Sequence, residues 1–186
     1  LGKIYPIIIA AKGRTFILST SIKSMNEIAS LLKDEFEKNN INYPILTQGE
    51  RSKIKLLEQF EHHGNAILIG SLSFWEGVDV RGKELSLVII DKLPFQSPGD
   101  PIFESKINLL SAKGINAFMT FQLPKAIISL KQGAGRLIRD EEDKGVLMIC
   151  DQRIISKPYG KSFWQSLPSF KRTRNQEDVI EFLKHL

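Results

Sequence analysis

Three continuous apolar runs do most to limit what this chain can fold into. Residues 65–71 (NAILIGS), 85–93 (LSLVIIDKL) and 145–151 (GVLMICD) are apolar without alternation, the pattern of strands covered on both faces. Residues 16–20 (FILST) and 43–47 (YPILT) add two shorter runs of strand length. Helical spacing fills the intervals: Ile22, Met25, Ile28, Leu32 and Phe36 recur on one face. Ser21 or Ser24 is expected to cap that helix, and Ser24 with Glu27 would form a capping box. Residues 51–62, ended by Gly64, residues 103–113 and residues 124–140 read as further helices. Residues 175–186 read as a closing helix capped by Asn175. Strands alternating with helices predict an α/β sandwich, a mostly parallel β-sheet flanked by helices.

At 186 residues the chain suits one domain with a real core. It opens on Leu1 rather than methionine, and a fragment of something longer is expected. The single cysteine, Cys150, excludes a disulfide framework or a multi-thiolate metal site and suits a reduced, cytosolic setting. No run approaches the length of a membrane span, and the first residues lack a signal-peptide layout. A net charge of +5 is compatible with a polyanionic partner.

Ligands of parallel sheets gather at the carboxyl ends of strands, here after Thr20, Ser71 and Leu93. Residues 70–82 (GSLSFWEGVDVRG) are the richest of these places. Gly77 would let backbone approach a ligand, while Glu76 and Asp79 offer carboxylates to a ribose, an arginine or a hydrated metal. An acidic turn with surface aromatics is the alternative. Phe74 and Trp75 either stack on a base or pack as core. Asp91 and Asp151 each end an apolar strand, as magnesium-holding aspartates do in nucleotide hydrolases. That role needs a phosphate loop of the form GxxxxGK(S/T), which is absent, so both are expected to be structural. GAGRLI (133–138) has Ile138 where a dinucleotide fingerprint needs its third glycine. His62, His63 and Cys150 are expected on a helix surface and in a core strand, and no metal site is expected.

QGAGRLIRD (132–140) places two glycines inside a predicted helix, at about 1 kcal/mol each relative to alanine. On one helix Gln132, Arg136 and Arg139 share a face at i, i+4 and i+7. The arginine fork suits phosphate oxygens, and the glycines would admit a close neighbour. A solvated basic face balanced by residues 140–143 is the alternative.

QGAGRLIR resembles motif VI of superfamily 2 helicases, and GSLSFWEGVDVRG resembles motif V of the XPD/DinG branch of iron–sulfur helicases. GRTFILSTSIKSMNEIA (13–29) is similar to the strand–loop–helix that opens the second RecA-like domain of that branch. SLVIIDKLPFQSPGDP (86–101) and CDQRIISKPYGKSFWQSLP (150–168) extend the likeness over nearly the whole chain, most evidently to its YoaA subgroup. The resemblance implies a single RecA-like helicase domain over residues 1–186, the second motor domain of a 5′→3′ DNA helicase acting in repair or replication. It implies that Arg139 and Arg136 reach a γ-phosphate held by the other motor domain, with Gln132 positioning water or phosphate. Glu76, Gly77 and Asp79 would link the nucleotide to the DNA track, and Ser19, Thr20, Ser21 and Ser71 would touch the backbone of single-stranded DNA. ATP and Mg²⁺ would be shared with the first motor domain, which would carry the Walker A lysine, the acidic motif and the 4Fe-4S cluster. This chain by itself should then not hydrolyse ATP. The family further implies a cytoplasmic, nucleoid-associated bacterial protein and the chi subunit of the DNA polymerase III holoenzyme as a partner. A non-catalytic docking module is the other reading, with residues 171–174 and the closing helix as its candidate surface.

Overall fold

A computed structural model describes residues 2–71, 74, 85–96, 99–138 and 143–186. The helices are α1 (Ile4–Ala10), α2 (Ile22–Lys38), α3 (Lys53–His63), α4 (Pro101–Ala112), α5 (Leu123–Ala134), α6 (Arg153–Ser156), α7 (Gly160–Ser166) and α8 (Gln176–Lys184). A π-helical turn, Phe118–Gln122, leads directly into α5. The strands are β1 (Thr15–Leu18), β2 (Ile45–Thr47), β3 (Ile67–Gly70), β4 (Leu87–Ile90) and β5 (Val146–Ile149). They form one parallel sheet in the order β2-β3-β1-β4-β5. The expected α/β sandwich with its parallel sheet is therefore present.

Strand side chains alternate between two cores. Phe16, Leu18, Leu68, Val88 and Ile90 face a layer made by α3, α5 and α7, through Leu56, Phe60, Leu130 and Phe163. Ile17, Ile67, Ile69, Leu87 and Ile89 face α1, α2 and α8, through Ile8, Leu32, Phe36 and Leu183. The route from β1 to β2 uses α2 on the second layer, whereas β2 to β3 and β4 to β5 use α3 and α5 on the first. Reversing direction reverses the face, as right-handed crossovers require.

Local chemistry fixes the ends. Ser21 caps α2, accepting from the Ser24 amide at 3.1 Å. Ser24 lies inside the first turn rather than at the cap, so the Ser24–Glu27 capping box does not form; its hydroxyl instead donates to Asp91 at 2.7 Å. Gly64 ends α3 in the left-handed region and Asn175 caps α8, both as the sequence predicts. Three helices were not predicted. In α1, Ile7 and Ile8 are buried against the sheet, while α6 and α7 bury Ile154 and Phe163. Among the described residues no helix is long and apolar enough to cross a membrane.

The turn into β1 needs its glycine. Gly13 has φ +81°, and a Cβ there would lie 1.9 Å from the Asn65 carbonyl oxygen. Gly2 has nothing within 4 Å of the same position. Gly13→Ala should therefore cost at least about 2 kcal/mol, from left-handed backbone strain plus the overlap. A thermal melt should show Tm lowered by about 4 °C or more, with Gly2→Ala unchanged; equal melts would contradict this packing.

Candidate functional site

Because all five strands are parallel, their carboxyl ends share one edge of the sheet. There Ser19 is fully buried; its amide donates to the Gly70 carbonyl at 2.9 Å and its hydroxyl to the Ser21 carbonyl at 3.0 Å. Ser19 thus ties β1 to β3 and shapes the loop. Thr20 is half-buried and Ser21 exposed. Ser21 stands at the amino end of a seventeen-residue helix whose first turn holds no acidic side chain, an arrangement that favours anions. At the end of β3 the Ser71 amide and hydroxyl both donate to Gln48 Oε1, at 2.6 and 2.8 Å. This joins the ends of β2 and β3. Ser19, Thr20, Ser21 and Ser71 are therefore brought together, with Ser19 and Ser71 holding the edge and Ser21 and Thr20 facing outward.

The two strand-ending aspartates are occupied within the fold. Asp91 accepts from Ser24 and so bridges the ends of β4 and β1. Asp151 accepts from the Leu93 amide at 2.8 Å and from the Arg153 amide at 2.9 Å. It also pairs with the Arg153 guanidinium, Nη2 lying 2.6 Å from Oδ2. Burial alone pushes the Asp151 carboxyl up. The bonds from the Arg153 side chain and the two amides outweigh it and hold the group below its ordinary value of 3.8. Cys150, expected in a core strand, lies one residue past β5 and is half-buried against the second core; burial, and then Asp91, push its thiol up to about 11. His62 and His63 are exposed on α3. Among the described residues, no three His, Cys, Asp or Glu side chains stand together as metal ligands.

The arginine stretch corrects the sequence reading. The helix expected over residues 124–140 stops at Ala134, so Gln132, Arg136 and Arg139 do not ride on one continuous helix. Gln132 is exposed on the last turn of α5. Arg136 is half-buried in a tight turn, its amide donating to Gly133 at 3.3 Å while that of Leu137 donates to Ala134 at 3.0 Å. Arg139 lies outside the described residues. Gly133 and Gly135 weaken the helix where it ends, and Leu137 supplies the pull, entering the core at 2% exposure. Leu137 lies where a Cβ on Gly145 would sit, 2.4 Å from its Cδ1 and 2.9 Å from the Ser86 carbonyl. Only glycine at 145 leaves it that room.

Ser86 and Gly145 precede β4 and β5, so Arg136 lies at the amino edge of the sheet, opposite Ser21 and Ser71. At about 3.3 Å per residue, four-residue strands separate the two edges by roughly 13 Å. The sequence marked Gln132 and Arg136 as candidates without showing which edge of the sheet they occupy. The missed signal is topological: a helix following a parallel strand runs back, so its last turn reaches the amino edge. The link from β3 to β4 leaves Ser71 at one edge and rejoins at Leu85 beside the other. Glu76, Gly77, Asp79 and Trp75 fall on that link, outside the described residues. Phe74 is core: it is 6% exposed, packs where a Gly70 side chain would be, and has Lys53 Nζ 5.4 Å above its ring. At the far end of the chain residues 171–174 are exposed, with Arg172 stacked 4.9 Å from Trp164, while α8 is anchored by Leu183.

The helicase C-terminal domain family matches residues 4–170, nearly the whole chain. This chain belongs to that family. The helicase domain is 51% identical over 178 residues to the ATP-dependent DNA helicase YoaA of Escherichia coli K12, covering 96% of the chain and 27% of that protein. It is 49% identical over 186 residues to YoaA of Haemophilus influenzae, covering 100% and 28%. To the ATP-dependent helicase DinG of Mycobacterium tuberculosis it is 37% identical over 186 residues, covering 100% and 27%. The helicase domain thus spans about a quarter of the length of these relatives. An XPD helicase structure superposes with a TM-score of 0.65 at 21% identity, over 89% of this chain and 30% of that one. The fold is the RecA-like sandwich of the DinG/XPD group.

The Asp151 cluster gives a pH test. The folded carboxyl holds its proton less tightly than the unfolded one, so its contribution is complete above pH 3.8 and is lost as pH falls through the lowered folded value. Asp151→Asn should lower Tm at neutral pH and remove this part of the acid limb, leaving a shallower fall in stability below pH 3.8. Denaturant melts across that range check it; identical acid limbs would contradict the assignment.

Proposed function

We propose that this chain is the second RecA-like motor domain of an ATP-dependent 5′→3′ DNA helicase of repair or replication. One observation supports the reading: Ser19, Thr20, Ser21 and Ser71 stand at the carboxyl edge of the sheet, while Arg136 stands at its amino edge. Single-stranded DNA is gripped at the carboxyl edge, where the Ser21 hydroxyl, Thr20 and the amino end of α2 meet backbone phosphates, on a loop set by Ser19 and Ser71. Nucleotide is met at the amino edge. There Arg136 and Arg139 reach a γ-phosphate held by the first motor domain, and Gln132 positions the attacking water or the phosphate. Glu76, Gly77 and Asp79 connect the two events.

Phosphoryl transfer spreads negative charge over the γ-phosphate oxygens, and fixed guanidinium groups from a facing domain stabilise that charge. Arg136 suits this task because a tight turn on a packed core fixes its backbone. ATP and Mg²⁺ belong in the cleft shared with the first domain. Magnesium supplies further charge neutralisation there; Asp151 is committed to Arg153 and Asp91 accepts from Ser24, so neither fits the ion. A 4Fe-4S cluster does not fit this chain either, since Cys150 is its sole cysteine; the cluster belongs to the rest of the parent. The exposed 171–174 segment and the outer side of α8 are the surfaces for the chi subunit, and the cytoplasmic nucleoid is the setting.

In the full-length helicase Arg139→Ala should reduce DNA-stimulated ATP hydrolysis by about 10³-fold or more, with nucleotide affinity much less changed. Arg139→Lys should rescue poorly, because an ammonium lacks the fork. Arg136→Ala should be similarly damaging and Lys131→Ala mild. Near-normal turnover in Arg139→Ala would overturn the finger role.

A further inference from the structure

The chain leaves β4 along the carboxyl edge and enters α4, whose twelve residues bury only Phe103. Beside it lies an open groove of about 340 Å³ lined by Gln96, Phe103, Glu104, Ile107, Asn108 and Gln122, at the small end of the range for ligand sites. Gln96 donates through Nε2 to Asp100 at 3.2 Å, while its Oε1 is buried without a partner among the described residues. A buried acceptor left unsatisfied is costly, and a donor entering the groove would relieve it. The π-helical turn splays two rings to different partners. Phe118 stacks on Phe95 at 5.6 Å, and Phe121 packs on Phe103 at 5.2 Å. Lys106 Nζ lies 4.4 Å from the Phe121 ring, and Lys125 Nζ lies 5.5 Å from the Phe103 ring. Isolated π turns in helices recur at functional sites.

We infer that this groove binds one nucleobase of the single strand held at the carboxyl edge. Three side-chain amides present donors and acceptors together, as the polar edge of a base requires, and Phe103 and Ile107 provide an apolar wall for its face. The Glu104 carboxylate repels phosphate from the groove, so the neutral base enters. Its phosphates stay outside, near the ammonium groups of Lys106 and Lys125. The inference rests on the carboxyl edge being the DNA edge, since Gln96 and Gln122 flank that edge while Arg136 lies at the other.

The test measures fluorescence anisotropy of the 186-residue chain with two single strands of equal length, one carrying bases and one an abasic analogue. The base-carrying strand should bind roughly tenfold or more tightly, the scale of one base held on an aromatic wall. Asn108→Ala/Gln122→Ala should lose most of that preference while binding the abasic strand as before. Asn108→Ala alone, at an exposed helical position, should lose part of it and serves if the double variant melts early. A preference that survives in both variants places base contact elsewhere and overturns the groove. Equal binding of both strands by the unsubstituted chain also overturns it, leaving the DNA edge intact. Failure to bind either strand overturns the DNA edge itself, and the groove with it.

Discussion

Everything in this domain depends on the parallel pairing of β1 with both β3 and β4. Ile17 lies opposite Ile69 on one side and Ile89 on the other, and all three are at 0% exposure. Each such side chain contributes about 1.5–3 kcal/mol by leaving water, so this row resists any shift in register. Parallel pairing also forces each connection between strands to travel back along the sheet. Loops therefore collect at two edges with different chemistry. The carboxyl edge receives hydroxyls and the amino end of α2; the amino edge receives the last turn of α5. The segregation of candidate residues follows from the topology.

The two edges are stiffened differently. At the carboxyl edge polar side chains join neighbouring strand ends: Ser19 to Gly70, Ser71 to Gln48, Ser24 to Asp91, and Asp151 to Leu93. At the amino edge backbone bonds such as that from the Ser86 amide to the Arg14 carbonyl, 2.9 Å, are joined by an apolar anchor. Leu137 reaches into the space left by Gly145, and that anchor sets the turn holding Arg136. The glycines around the arginines make sense in these terms. Gly133 and Gly135 let α5 end, and Gly145 lets Leu137 pack beneath the turn that follows.

The sequence revealed the sheet because its central strands, β1, β3 and β4, are fully buried, which leaves continuous apolar runs that few other structures need; β5 carries a similar run but lies at the edge and is only half-buried. Gly64 and Asn175 were legible because a left-handed helix end and a side-chain cap are local events. Residues 4–10 were not, since IYPIIIA is too short to show a period and becomes helical by packing on the sheet and α8. The end of α5 was hidden for a related reason: residues 124–140 keep helical spacing past Ala134, and only the core position of Leu137 decides that the chain turns. Choosing Ser21 over Ser24 as the cap required knowing that the chain leaves its extended conformation at Ser21 and is already helical at Ile22. Among the candidate site residues the chemical types were readable, but the bonds that hold Ser19 to Gly70 and Ser71 to Gln48, and the separation of Ser21 and Ser71 from Arg136, belong to three-dimensional topology.

In the function proposed for this domain, one sheet carries DNA at its carboxyl edge and nucleotide at its amino edge. Photo-cross-linking in the full-length helicase addresses it directly, using a single strand with photoreactive bases and, separately, an azido-substituted ATP, followed by peptide mapping. DNA adducts are expected on peptides containing Ser21, Ser71 or Asn108, and nucleotide adducts within this domain on peptides containing Gln132 or Arg136. Nucleotide adducts at Ser21 and Ser71, or DNA adducts confined to the Arg136 turn, would contradict it.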